Sequence, residues 1–260
     1  MKITVFTSDN IRHKYLINLL SRSCDQLMAI VETKINSNNK IIKEESELSK
    51  KYFDFVNKAQ AKLFGDIKTD DKKKNVEILS MSYGNLSDYN FKNNLKFLSS
   101  DIYIVFGSSY IKGDLVNFLI DKNAINIHAG VSPYYRGADC NFWALFDGNP
   151  HLAGSTIHYL SKGLDDGSIL YHAMSKEKND PFEYTMSTVK SAFHSIVDRI
   201  KDKSLLKLKP LKQNKSNEIR YSKKVEFNDK IINEYFSKNI DLNCKNFDNS
   251  LLKDPYFFNN

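Results

Sequence analysis

The feature that most constrains this chain is a repeated switch between two hydrophobic periods along its first 130 or so residues. Runs rich in β-branched residues alternate with segments whose apolar positions recur at helical spacing. KITVFTS (2–8) reads as a strand, RHKYLINLLSRS (12–23) as a helix and QLMAIVE (26–32) as a second strand. After the polar stretch 36–39, a long helical pattern runs through Leu48, Tyr52, Phe55, Val56, Ala59 and Leu63. NVEILSM (75–81) reads as a strand, NFKNNLKFLSS (90–100) as a helix and DIYIVFG (101–107) as a continuous apolar strand. GDLVNFLIDK (113–122) returns to helix and AINIH (124–128) to strand. Such alternation predicts βαβ units, and with them a mostly parallel sheet carrying helices on both faces.

The second half changes character. GSTIHYL (154–160) and SILYHAM (168–174) are strands on either side of the turn SKGLDDG, and PFEYTMSTVKSAFHSIVDRIKD (181–202) is a long amphipathic helix. KLKPLKQNKSNEIRYSKK is basic, polar and irregular, and FNDKIINEYFSK (227–238) forms one last helix. The expected fold class is therefore α/β and Rossmann-like, with a twisted sheet and a small C-terminal extension. The expected division is a main domain over 1–205 and a short basic extension over 206–260.

A hydrophobic fraction of 41% over 260 residues supplies a sizeable core. Lysine and arginine exceed aspartate and glutamate by 38 to 31, a net charge of +7 that suits anionic substrates and leaves nucleic acid open. Cys24, Cys140 and Cys244 are far apart and odd in number, so they read as free thiols of a reducing cytoplasm. The opening MKITVFTS reads as a strand instead of a signal peptide. No apolar run approaches the roughly 18 residues of a membrane helix.

No GxxxxGK[ST] and no GxGxxG follows the first strand, where the turn reads TSDNIRHK. A helix N-terminus flanked by Ser8, Asn10, Arg12 and His13 is able to bind an anion, while Ser8 or Asp9 is equally suited to cap that helix. Asn126 and His128 stand two apart, so they share one face of their strand while Ile125 and Ile127 share the other. At the carboxyl edge of an open α/β sheet, such a pair delivers a hydrogen-bond donor and an imidazole to one crevice. Taken alone, the spacing favours a buried histidine bonded to a backbone carbonyl. VSPYYRG (131–137) follows at once, with Pro133 stiffening the loop, Gly137 permitting a turn and Arg136 offering a forked donor. GLDDGS (163–168) then places Asp165 and Asp166 between two strands, and a carboxylate near His128 would orient its ring.

The order of these segments resembles the folate-dependent formyltransferases, among them glycinamide ribonucleotide transformylase, methionyl-tRNA formyltransferase and the sugar N-formyltransferases. The matching positions are Asn126-Ile127-His128, Pro133-Tyr134-Tyr135-Arg136-Gly137 and Asp165-Asp166-Gly167. The resemblance runs over roughly residues 75 to 200, more loosely before them. It implies N10-formyltetrahydrofolate as co-substrate, no metal, and a primary amine as acceptor. In that reading Asn126 and protonated His128 stabilise an oxyanion, and Asp165, two residues before its glycine, holds His128 charged and relays a proton. The folate pocket is expected along Phe106, Gly107, Ser108, Ser109 and Tyr110, with Gly163 and Leu164 opposite. Asn10, Arg12, Tyr134 and Arg136 are the expected acceptor contacts, a structural salt bridge being the equal alternative for Arg136; Tyr135 and Trp143 are further stacking candidates, although Trp143, on an apolar helix, reads more readily as core.

HAGVSPYYRGADCNFWAL looks most similar to the sugar N-formyltransferases, which implies a nucleotide-linked amino sugar as partner. Alternative readings are glycinamide ribonucleotide or methionyl-tRNA as acceptor, or a silent folate- or nucleotide-binding relative. Membrane attachment is not expected. The basic C-terminal residues read as solvated surface instead of an RNA site. A homodimer is left open, because no heptad or exposed apolar stripe marks one.

Overall fold

A computed structural model describes residues 1–34, 46–65, 74–88, 99–176, 178–243 and 249–258. The polar stretch 36–39, most of the expected helix at 90–100, and Cys244 lie outside these residues. In chain order the elements are β1 (Lys2–Ser8), α1 (Ile11–Ser21), β2 (Gln26–Thr33), α2 (Glu47–Phe64), β3 (Val76–Ser82), β4 (Ile102–Val105), α3 (Gly113–Asp121) and β5 (Ile125–His128). There follow β6 (Tyr135–Gly137), α4 (Cys140–Phe146), β7 (Ser155–Tyr159), β8 (Ile169–Ser175), α5 (Pro181–Lys201), β9 (Arg220–Ser222), α6 (Asp229–Ser237) and β10 (Tyr256–Phe258).

Eight strands form one sheet in the order β10-β8-β7-β5-β4-β1-β2-β3. β1, β2, β3, β4 and β5 pair in parallel, β7 runs antiparallel to both β5 and β8, and β10 is parallel to β8. The two-residue period of a strand sorts the core. Ile3, Val5, Ala29, Ile104 and Ile127 pack with Leu16 and Leu20 of α1 and Phe193 and Ile196 of α5. Phe6, Met28, Ile30 and Val105 face the other way, onto Leu115 and Leu119 of α3. Helices therefore cover both faces, as the alternation of periods requires. Among the described residues no helix is long and apolar enough to cross a membrane.

Helix starts follow local chemistry. Asp180 accepts from the Glu183 amide at 2.8 Å and Pro181 takes the first position of α5. Ser46 accepts from Ser49 at 3.0 Å to open α2. At α1 the expectation of a Ser8 or Asp9 cap is overturned. Asn10 stands before the helix without capping it, and Ser8 turns inward to His13 instead.

The residues after 205 are woven into the body of the protein. β9 pairs in parallel with β6, α6 packs on α2, and β10 extends the main sheet. Arg220 grips Asp147 with two bonds of 2.9 and 2.7 Å and lies over the Trp143 ring.

Candidate active site

Strand order reverses between β1 and β4, and a crevice opens beyond their carboxyl ends, where open α/β sheets place ligands. Here it is a cleft of about 590 Å³. The turn after β1 contributes Asn10 and Arg12, the loop after β4 contributes residues 106–111, and β5 contributes Asn126 and His128.

Asp165 and the two β5 side chains converge there. His128 Nδ1 lies 3.3 Å from Asp165 Oδ1, and its Nε2 lies 3.2 Å from the Tyr135 carbonyl. Asn126 Nδ2 lies 3.5 Å from Asp165 Oδ1 and 3.0 Å from His158 Nε2. His158 Nδ1 donates to the Tyr159 carbonyl at 2.8 Å. With that proton placed, Nε2 is an acceptor, and Asn126 must present its amide nitrogen to it. Burial lowers the His158 pKa and keeps the ring neutral, against the raising effect of Asp165.

Asp165 sits in a loop held by Gly137, Gln213 and Arg136. Its backbone is left-handed (φ 50). Gly137 donates to Oδ2 at 3.3 Å, Gln213 donates to its carbonyl at 2.9 Å, and Arg136 donates to the Leu164 carbonyl at 2.7 Å. Gly167 is required, since a Cβ there would lie 1.7 Å from the Tyr159 oxygen. Asp166 instead receives the Ser161 hydroxyl and faces Lys215 at 3.6 Å, so it belongs to the turn.

Phe106, Gly107, Ser108, Ser109, Tyr110, Gly163 and Leu164 all line the same cleft. Phe106 packs its ring between His13 and Phe193, at 4.7 and 4.9 Å between centroids, so it serves the core as well as the cleft. Tyr110 bridges the two loops by donating to the Lys162 carbonyl at 2.6 Å.

Two expected acceptor contacts need correction. Arg136 is buried, paired with Glu218 at 2.9 Å and stacked over Tyr221, so its guanidinium braces the Asp165 loop. Tyr134 is buried with its hydroxyl on the Leu251 carbonyl. Tyr135 and Trp143 are core residues too, each at most 2% exposed. A charged or aromatic residue in a polar loop looks ligand-facing in a sequence; here packing from the C-terminal residues claims it.

The sequence reading missed Glu32. Its fully buried carboxylate ends β2 and accepts from the Ser109 amide (2.5 Å), the Ser109 hydroxyl (2.7 Å) and the Gly84 amide (2.7 Å). It fixes the loop that walls one side of the cleft. A glutamate closing an apolar strand carries no signal for this, because its three donors come from segments 50 and more residues away. Among the described residues no group of three or more His, Cys, Asp or Glu is placed to hold a metal ion.

Sheet and site together define an α/β enzyme with an amide, an imidazole and a carboxylate at its strand edge. The chain belongs to the formyl transferase family, whose model matches residues 1–200. A methionyl-tRNA formyltransferase of Thermodesulfovibrio yellowstonii is 35% identical over 85 residues, 33% of this chain and 27% of that relative. The chain thus spans about a quarter of that relative's length. A sugar N-formyltransferase from a Shewanella species shares the fold, with a TM-score of 0.54 and 16% identity over 87% of this chain and 78% of that one. A 4-N formyltransferase from Francisella tularensis gives 0.52 and 19%, over 87% and 77%.

Proposed function

We propose that the protein transfers a formyl group from N10-formyltetrahydrofolate to the primary amine of a nucleotide-linked amino sugar. The observation that carries this reading is the convergence of Asn126, His128 and Asp165 within 3.5 Å contacts at the floor of one cleft. The folate side fits the residues present. Among the described residues the backbone groups of Gly107, Ser108 and Tyr110 have no protein hydrogen-bond partner, while Glu32 holds the loop from behind. Open backbone amides and carbonyls suit the donor–acceptor edge of a pterin. When bound, the folate supplies an activated formyl carbon.

The chain's own residues do the rest. Attack by a neutral amine pushes negative charge onto the formyl oxygen, and the second Asn126 N–H and the His128 ring are the donors at hand. Asp165 holds the His128 ring in place and takes the proton that must leave nitrogen, directly or through water. Their present contacts of 3.3 to 3.5 Å are loose, as catalytic hydrogen bonds often are before substrate tightens them.

The acceptor class rests on the other end of the cleft. Arg12 and Asn10 stand at the uncapped start of α1, and Tyr52, Phe182 and Tyr235 line the wall facing them. That combination suits an anionic nucleotide joined to a sugar. The test is incubation with formyltetrahydrofolate and a panel of nucleotide-linked amino sugars, glycinamide ribonucleotide and methionyl-tRNA, read by mass for an added formyl group. Formylation of the amino sugars alone supports the reading, and exclusive use of either other amine overturns it.

A further inference from the structure

His13 stands in the first turn of α1 and is 1% exposed. Burying two ring nitrogens is unfavourable unless they find partners, and an apolar side chain would fill the same volume without that cost. The partners here belong to both sides of the cleft. Nδ1 lies 2.7 Å from Thr7 Oγ1 and 3.2 Å from the Ser8 amide, and the Thr7 hydroxyl reaches the Phe106 carbonyl at 2.9 Å. Nε2 accepts from Arg12 Nε at 3.4 Å, and the same guanidinium reaches Met186 Sδ at 3.8 Å. The ring also packs on Phe106, with 4.7 Å between centroids.

Gly107 shows how closely the folate side is fitted to this ring. Its backbone is left-handed (φ 62), and a Cβ built on it would overlap His13 Cε1. Asparagine and aspartate tolerate such a backbone, so the ring contact, beyond the backbone angle, restricts the position to glycine. The imidazole edge is thus the surface on which the Gly107 backbone rests. Gly107 begins the run whose open backbone groups suit a pterin edge, and Arg12 lines the same cleft beside Asn10. One buried side chain therefore supports the folate loop by its carbon edge and the acceptor-side arginine by its nitrogen.

Resting on the formyl-transfer reading above, we infer that His13 is a positioning residue for both substrates. Its Cε1 edge sets the Gly107 backbone against which folate binds, and its Nε2 aims the Arg12 guanidinium at the anionic part of the acceptor. His13 meets no reacting atom, so the step that follows binding of both substrates does not call on it. The two duties reside in different atoms of one ring, and substitutions separate them. Ring shape serves the folate, and the nitrogen serves the acceptor.

The experiment pairs calorimetric titration with tetrahydrofolate and steady-state formylation of whichever dTDP- or UDP-linked amino sugar the wild-type protein accepts. His13→Phe keeps a flat ring beside Gly107 and removes the nitrogens. It is expected to raise acceptor KM about tenfold, the scale of one hydrogen bond to a charged group, with tetrahydrofolate Kd and kcat held within about threefold. His13→Ala removes the ring as well, so both constants should rise about tenfold while kcat stays within about threefold. Gly107→Ala should raise tetrahydrofolate Kd about tenfold or more by overlap with the ring. The same substitution in the His13→Ala background should cost at least about threefold less, because the backbone strain is common to both arms of the cycle. The Phe variant fills the space, so it carries the test where the cavity left by Ala unfolds the protein. An unchanged acceptor KM in His13→Phe, or an equal cost of Gly107→Ala in both backgrounds, overturns the assignment. A fall in kcat matching the rise of both constants in every variant overturns it too, since that marks general loosening. Failure of the wild-type protein to bind tetrahydrofolate or to formylate any sugar of the set overturns the formyl-transfer reading itself, a result distinct from these.

Discussion

At the scale of single residues, the orientation of Asn126 depends on a histidine that lies outside the Asn-x-His pattern. His158 is fixed as an acceptor by the Tyr159 carbonyl, and that makes Asn126 turn its amide nitrogen toward it. His158→Phe is therefore expected to lower kcat by about 10- to 100-fold, the range of a lost oxyanion donor and below. His158→Gln, which keeps an acceptor, should recover part of it, with tetrahydrofolate affinity unchanged in both. Equal kcat for Phe and Gln variants would show that the side chain only fills space. Asp165→Asn should cost roughly 10²- to 10⁴-fold in kcat, the usual worth of a positioned acid–base group, whereas Asp166→Asn should leave steady-state rates nearly intact. Asn126, His128 and Asp165 were legible in the sequence because their chemistry and order are distinctive. His158 was not, since a histidine within an apolar strand reads as any buried residue.

At the scale of elements, the arginine–glycine turn turns out to be a brace. Arg136 joins β6 to Glu218 and to the Leu164 carbonyl, and through that carbonyl it sets the loop that carries Asp165. Arg136→Met leaves Glu218 and the loop without their partner, so a loss of about 2–4 kcal/mol is expected, toward the range for breaking a largely buried ion pair. Urea unfolding measures it, and acceptor KM should change less than kcat. Glu32→Gln acts on the other wall. A carboxamide turns an NH₂ toward one of the N–H or O–H donors now held by Glu32, so the β4–α3 loop loosens. The expected result is a rise of about tenfold in folate KM with kcat held, and equal KM values would show that the loop needs no such anchor. Strands of four to eight residues announced themselves by period, as did α1, α3, α5 and α6. β6, β9 and β10 did not, because three residues define no period and their partners lie about 80 residues off in sequence.

At the scale of the whole molecule, the residues after 205 carry the lesson that composition alone hides. Their basic character suggested a solvated appendage, yet Gln213, Arg220 and Tyr235 serve the Asp165 loop, the α4 clamp and the cleft wall. Buried histidines tie the same parts together. His172 donates from Nε2 to the Ser132 carbonyl and accepts from the Lys253 amide at Nδ1, joining the loop after β5 to the C-terminal segment. Burial pushes its pKa down to about 4. Burial likewise pushes His13 down to about 3, helped by the neighbouring Arg12 charge. His158 is lowered as well. In the unfolded chain these rings titrate near 6.5. Above that value both states are neutral and the fold keeps its full stability. As pH falls below it the unfolded chain binds protons that the fold refuses, so stability declines by up to about 1.4 kcal/mol per pH unit for each ring. The loss from His172 continues to about pH 4 and that from His13 to about pH 3. Carboxylates contribute mainly below pH 5, so the interval from 7.5 to 5 isolates the histidines. The urea midpoint is expected to hold from pH 7.5 to about 6.5 and to drop steadily from there to about pH 5. His172→Phe should lower it at pH 7.5 yet flatten its slope by about one proton, and a midpoint constant from pH 7.5 to 5 would mean that these rings are not held neutral.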